Sequence, residues 1–414
     1  MTLAAPNPAD PGFAIGYRDV FEATKIISGR VLRTPTLPAP KLSHLTGAHV
    51  FVKYENLQVT GSFKDRGALV KLLSLTDDER RRGVIAMSAG NHAQAVAFHS
   101  RRLGIPATIV MPERTPLVKV SNTEGFGAKV VLAGATLAES QAMARELAEE
   151  HALTLVHPYD DPRVMAGQGT LGAEFLEDQP DLDDVILQIG GGGLVSGCSV
   201  AMKKMKPDIE IYGVQAALYP SMKAALDGTA APCAGQTLAE GIAVKNAGQL
   251  TQPIVRALVS EIFLVDESEI EYAVSLFLSL QKTMAEGAGA AALAALMANK
   301  ERFRGRKVGL VLSGGNIDVR MLASIMVRGL EREDKIISLR LVVDDQPGML
   351  GRVASVLGEA GANILKVSHS RMLVHVPAKG TTLDLMLEAK DAQHANEIIL
   401  TLEEKGFRVT RLNH

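Results

Sequence analysis

Residues 50–75, VFVKYENLQVTGSFKDRGALVKLLSL, decide how the chain is organised. Positions 50–54 alternate apolar and polar residues as a half-buried strand does, 56–61 read as a turn, and 64–75 space their apolar side chains as a helix does. A strand that turns into a helix is the repeating unit of an α/β fold. The same junction puts Lys64 at the mouth of the helix, next to Phe63. The positive end of a helix dipole and an apolar neighbour both disfavour the charged amine, and a neutral lysine attacks carbonyls. By its own spacing the segment reads first as a solvated first-turn lysine.

Working outward, short β-branched runs at 84–87, 107–111, 129–132, 154–156, 185–189, 209–214 and 308–312 alternate with helical patterns. The alternation predicts parallel strands joined by right-handed crossovers, with ligands beyond the carboxyl ends of the strands. Three of these strands run into unusual loops, which face one cleft if the strands share a sheet. The first loop is Ser88, Ala89, Gly90, Asn91, His92, opening a helix whose amides suit a carboxylate; helix capping by Ser88 or Asn91 explains it equally. The second is Gly190, Gly191, Gly192, Gly193 and Leu194, again before a helix. Few structural needs call for four glycines in a row, and their N–H groups suit a phosphate. No GKS or GKT follows, so it is not a nucleotide P-loop. The third is Ser313-Gly314-Gly315-Asn316, where the serine is either a hydrogen-bond partner for a heterocycle nitrogen or a cap. Gly167-x-Gly169-x-x-Gly172 has dinucleotide spacing but neither a strand before it nor an acid after it, and is set aside. The segments 157–161, 239–245 and 286–289 read as walls of the cleft. His157 with Asp160 and Asp161 lacks a second histidine at metal-ligand spacing.

The bulk properties narrow the function. A length of 414 residues predicts two or three domains. Lys plus Arg number 44 against 46 acids, a formal charge of −2, so nothing favours nucleic acid or an acidic membrane. Cys198 and Cys233 lack metal spacing and read as reduced thiols, which fits the cytoplasm. Residues 1–16 read as a mobile leader, neither signal peptide nor anchor. The apolar run at 288–298 is too short for a membrane span. A charge run at 331–335 closes a catalytic region over 17–330, and the pattern restarts over 336–414: strand 337–343, helix 348–361, strands 364–370 and 381–388, helix 391–405, strand 407–412. That is βαββαβ, a ferredoxin-like module.

An imine-forming lysine, a phosphate cradle, an asparagine and a strand-end serine together give each part of pyridoxal 5'-phosphate a partner. The motifs Ser62-Phe63-Lys64-Asp65-Arg66-Gly67-Ala68, Ser88-Ala89-Gly90-Asn91-His92, the four glycines and Ser313-Gly314-Gly315-Asn316 resemble fold-type II pyridoxal-phosphate enzymes of the tryptophan synthase β-like fold. Within them the resemblance is to threonine dehydratases (threonine ammonia-lyases). Residues 336–414 resemble an ACT domain. The resemblance implies that Lys64 carries the cofactor and removes the α-proton, with Phe63 beside it. It implies Asn91 on the ring oxygen, the amides of Gly190, Gly191, Gly192, Gly193 and Leu194 on the phosphate, and Ser313 on the pyridine nitrogen. Ser88, Ala89, Gly90, Asn91 and His92 would take the substrate carboxylate. The reaction implied is L-threonine to 2-oxobutanoate and ammonia, with activity on L-serine. Serine racemases resembling this family place a second acid/base serine where this chain has Ala89. Relatives that bind a divalent cation use a glutamate where Gln215 stands, so no strong metal site is expected. For the second module the resemblance implies an amino-acid effector, isoleucine or valine, at Asp345, Pro347, Gly348, Asn363 and Ile364. It also implies a homo-oligomer, a dimer or tetramer. The alternatives are a dehydratase of another β-hydroxy amino acid such as hydroxyaspartate, a racemase-like enzyme, and a non-catalytic amino-acid sensor.

Overall fold

A computed structural model describes residues 13–370 and 380–412, so most of the expected leader lies outside it. Of that leader, 13–16 are described and packed: Ile15 is 1 % exposed, and Gly16 caps the helix Tyr17–Ile27. The chain divides into two compact units, Met1–Ile317 and Asp318–His414.

In the first unit the strands are β1 (Thr36–Pro38), β2 (His49–Tyr54), β3 (Val84–Met87), β4 (Ala107–Met111), β5 (Lys129–Leu132), β6 (Thr154–Leu155), β7 (Asp184–Gln188), β8 (Glu210–Ala216), β9 (Glu261–Val265) and β10 (Lys307–Leu312). They form two sheets, not one. A 6-stranded sheet has the order β1-β2-β10-β7-β8-β9, and a 4-stranded sheet the order β5-β4-β3-β6. The strands of the smaller sheet are parallel, as are β2 and β7 to β10; β1 alone pairs antiparallel, on β2. β1 and β9 escape the sequence reading because one is too short for alternation and the other, EIFLV, has a charged first position and no turn behind it. Each sheet has its own core, around Phe175, Leu187 and Ile211 in the larger and around Val96, Ile109 and Met111 in the smaller.

The glycines of the discarded dinucleotide pattern lie inside the helix Pro162–Asp178. A Cβ on Gly167 would stand 2.6 Å from Gly67 Cα, and one on Gly169 would stand 2.7 Å from the Gly197 carbonyl oxygen. They serve close approach of helix Pro162–Asp178 to the helices Lys64–Leu73 and Gly193–Met205. Both of those helices carry the site at their N-termini. Behind Lys64 the fully buried Arg66 donates to Glu55 at 2.8 and 2.7 Å and to Glu174 at 2.7 Å, and Lys53 pairs with Glu174 at 3.0 Å. Charges this deep persist because each is paired and hydrogen-bonded. The lattice ties the lysine's helix to the end of β2 and to helix Pro162–Asp178.

The second unit holds β11 (Ile336–Asp344), β12 (Asn363–Ser370), β13 (Gly380–Glu388) and β14 (Arg408–Arg411) in the order β12-β13-β11-β14, all neighbours antiparallel. Helices Met349–Glu359 and Ala392–Glu404 pack on it, and Leu339, Leu341, Leu357, Leu385 and Ile398 form its core. This is the expected ferredoxin-like βαββαβ. The helix Val319–Arg332 belongs to this unit, so the chain divides ahead of the charge run, which begins at that helix's end. Among the described residues no helix is long and apolar enough to cross a membrane.

Candidate active site

Lys64 opens its helix as the sequence indicates. Its Nζ donates to the Pro158 carbonyl at 2.7 Å and lies 5.2 Å from the centre of the Phe63 ring. The residue is half-buried, and desolvation by the protein around it pushes the amine down to about 8, partly opposed by the charge of Glu286. The Phe63 amide donates to the Ser313 carbonyl at 3.0 Å, so β10's end and the lysine turn are held together.

The 88–92 loop comes from β3, in the other sheet, yet it reaches the same cleft. Asn91 Nδ2 donates to Glu286 Oε1 at 2.7 Å, and Asn91 Oδ1 accepts from Asn316 Nδ2 at 2.7 Å. Ser88 Oγ accepts the Gly90 amide at 3.2 Å, which shapes the turn ahead of helix Asn91–Leu103. Ala89 is partly buried against the core of the smaller sheet. The His92 side chain makes its hydrogen bond in the core. One residue on from Asn91, it is turned about a quarter-circle round the helix. Its Nε2 meets the Val156 carbonyl at 2.8 Å, and burial pushes its ring down to about 3. The ring therefore stays neutral in the core, and only its backbone N–H faces the helix entrance.

β7 runs into the four glycines, and helix Gly193–Met205 follows. Gly192 has φ +100°, the left-handed region that glycine adopts without strain. A Cβ on Gly191 would stand 2.2 Å from the Tyr159 ring, and one on Gly193 would stand 2.9 Å from Tyr159 Cα. Side chains are excluded on both sides, and a turn of bare backbone amides results. The first intrahelical bond is Ser196 N–H to the Gly192 carbonyl at 2.9 Å, so the amides of Gly193, Leu194 and Val195 precede the helix's own acceptors. Thr251 Oγ1 steadies the turn from behind by donating to the Gly191 carbonyl at 2.7 Å. Ser313, 3 % exposed, sits at the end of β10.

These placements fit pyridoxal phosphate. The glycine turn packs so closely on Tyr159, Thr251 and Met222 that no Cβ fits at Gly191, Gly192 or Gly193, which leaves backbone amides as the groups it offers, and Pro158-Tyr159 links that turn to the desolvated amine, Pro158 at Lys64 and Tyr159 at the glycines. Glu286, Asn316, Tyr159 and Thr251 carry this geometry without having been singled out. Glu286 stood only in a wall segment and Asn316 only as the last letter of a motif. Gln215 donates to the Tyr219 carbonyl at 3.2 Å and accepts the Lys223 amide at 3.0 Å.

The residues expected at the regulatory site do not meet within one chain. Asp345, Pro347 and Gly348 follow the carboxyl end of β11, whereas Asn363 and Ile364 begin β12. Asn363 and Ile336 both register on Glu388, while Asp344 registers on Gly380. β11 and β12 thus start at the same end of the sheet, because the helix between them returns the chain. The two groups lie a strand length apart, about 25 Å at ~3.3 Å per residue.

The comparisons agree with the geometry. The model of the pyridoxal-phosphate dependent enzyme family matches residues 27–314, and that of the ACT domain matches 337–404. The chain is similar to the L-threonine ammonia-lyase of Thermotoga maritima, 44 % identical over 95 % of this chain and 99 % of that one. Among solved structures it is similar to maize serine racemase, with TM-score 0.72 and 32 % identity over 78 % of this chain and 100 % of that one. It is also similar to the processed form of threonine deaminase isoform 2 from Solanum lycopersicum, with TM-score 0.71 and 32 % identity over 78 % of this chain and 90 % of that one. With lysine, glycine cradle, asparagine and serine drawn into one cleft, and a ferredoxin-like unit following, the chain belongs to the pyridoxal-phosphate dependent enzymes and ends in an ACT domain.

Proposed function

We propose that the protein is an L-threonine ammonia-lyase that turns L-threonine into 2-oxobutanoate and ammonia and also acts on L-serine. The observation that carries the reading is the surroundings of Lys64: a desolvated amine in one cleft with the glycine amides, Asn91 and Ser313, and Ala89 in place of a second acid/base serine. The relatives' names support the same substrate.

Bound pyridoxal phosphate supplies the electron sink that makes a substrate α-hydrogen acidic. The rest falls to the chain's own residues. The amides of Gly190, Gly191, Gly192, Gly193 and Leu194, with the dipole of the helix behind them, would hold the phosphate. Ser88 and the first amides of helix Asn91–Leu103 hold the substrate carboxylate, which points the α-hydrogen at Lys64 Nζ. An amine near 8 is partly neutral at neutral pH and accepts that proton. The Ser313 hydroxyl would be a neutral partner for the ring nitrogen and would leave the ring a weaker sink than a carboxylate partner would. Ala89 offers no proton on the opposite face, so racemisation is slow.

In the ACT domain an amino acid, isoleucine or valine, is the effector. A ligand that touches both Pro347 and Asn363 takes them from different copies of the chain, which supports a homo-oligomer, a dimer or tetramer, over a monomer. A cytoplasmic role in isoleucine supply goes with this reading and with the free Cys198 and Cys233.

The test is keto-acid release by the purified, cofactor-loaded protein. Threonine and serine should both yield it, and Lys64→Ala should lose the visible cofactor band together with about 10²–10⁴-fold in kcat. A loaded wild-type protein that releases no keto acid from either substrate ends the proposal. Faster turnover of hydroxyaspartate reassigns the substrate, and a Lys64→Ala protein with an unchanged amino-acid response marks the response as independent of catalysis.

A further inference from the structure

Asn91 has two N–H groups and one carbonyl oxygen, and the structure leaves it a single way round. Asn316 Nδ2 donates to the Thr60 carbonyl at 2.7 Å and also to Asn91 Oδ1 at 2.7 Å. The other end of the Asn91 amide meets Glu286 Oε1 at 2.7 Å. Burial pushes the Glu286 carboxyl up to about 7, and in its ionised form that oxygen only accepts. Flipping Asn91 would set its nitrogen against the Asn316 N–H donor in either state of Glu286, and its oxygen against a carboxylate oxygen when Glu286 is ionised. In the observed orientation one N–H of Asn91 is spoken for by Glu286, and the second is left for a partner in the cleft.

Space has been cleared for this chain of side chains. A Cβ on Gly314 would stand 2.4 Å from Glu286 Oε1 and 3.1 Å from Asn91 Nδ2. At Gly61, where φ is +75°, a Cβ would stand 2.5 Å from Asn316 Oδ1. The Glu286 amide donates to the Gly314 carbonyl at 3.1 Å, and the Asn316 backbone N–H adds a second donor to the carboxylate. The charged groups that face it are Lys64, Glu240 and Lys119.

We propose that Glu286 is a positioning residue that sets the orientation of the Asn91 amide, so that its free N–H meets the oxygen substituent of the cofactor ring. This deepens the reading of Asn91 as a cofactor contact and does not depend on the substrate. Glu286 itself touches no reacting atom.

The experiment is an absorbance titration of the full-length apoprotein with pyridoxal phosphate, using wild type, Glu286→Ala, Asn91→Ala and the double variant. Each single change should weaken cofactor binding by about tenfold, the usual effect of one lost charge-assisted or buried hydrogen bond. The double variant should bind no more weakly than the weaker single, because Glu286 acts through Asn91. Glu286→Gln, which keeps an acceptor but not the charge, should stay within about threefold of wild type. Wild-type affinity in Glu286→Ala, a double variant whose loss is the product of the singles, or Glu286→Gln as weak as Glu286→Ala would each overturn the proposal. If Glu286→Ala does not fold, Asn316→Ala reads the same clamp from its other side: about tenfold weaker binding in the wild-type background and none in the Asn91→Ala background supports it, and equal loss in both overturns it. A chain that binds the cofactor but makes no keto acid from threonine removes the activity reading alone.

Discussion

Lys64 shows how far one residue's surroundings outweigh its local sequence. The segment around it suits a solvated lysine, but the fold half-buries the residue and the desolvation pushes its amine down to about 8. The sign of the pH effect follows. Only the neutral amine attacks the cofactor aldehyde, and the neutral form is lost as pH falls through about 8. Uptake of pyridoxal phosphate by the apoprotein should therefore slow about tenfold per pH unit below that value and level off above it. Stopped-flow absorbance checks this, and a rate flat between pH 6 and 9 contradicts it. Asn91 and His92 make the complementary point. Adjacent in one motif, they meet different surroundings because a helix turns about 100° per residue. Asn91 looks into the cleft and His92 into the core, and nothing in the letters says which is which.

The helices that present the site are set close by glycine. Gly197 lies within helix Gly193–Met205, and a Cβ there would stand 2.1 Å from the Met165 carbonyl oxygen and 2.6 Å from the Gly169 amide nitrogen. Local propensity and packing predict opposite outcomes for Gly197→Ala. Propensity would stabilise the helix by roughly 1 kcal/mol. Overpacking against backbone atoms, which cannot rotate away, costs about 2 kcal/mol or more. The structure favours the second, so Gly197→Ala should lower the melting temperature and weaken cofactor binding, since the glycine cradle is that helix's own N-terminus. A raised melting temperature would show that the helices separate freely. The same contacts explain why Gly167-x-Gly169-x-x-Gly172 imitates a dinucleotide motif: both need backbone approach, one to a ligand and the other to a neighbouring helix.

Across the whole molecule, the pyridoxal-phosphate dependent enzyme region and the ACT domain occupy separate compact units, each with its own core. A chain ending at Ile317 should bind pyridoxal phosphate and turn over threonine, and should lose any response to isoleucine or valine. Steady-state kinetics with and without each effector checks this, and a truncated protein that still responds places the effector site elsewhere. The sequence alone determined the alternation of strands and helices and most of their ends, β1 and β9 excepted, because these depend on periodicity and turn chemistry within a few residues. β3, β7, β10 and the βαββαβ module were legible for that reason, as was the set of groups that suits pyridoxal phosphate. Tertiary structure decided the rest. It split the strands between two sheets, turned His92 inward, brought Glu286 against Asn91 and Gly314, and set Pro347 and Asn363 at opposite ends of one sheet. These are contacts between residues far apart in the chain. They arise when loops close and faces pack, and no local pattern encodes them.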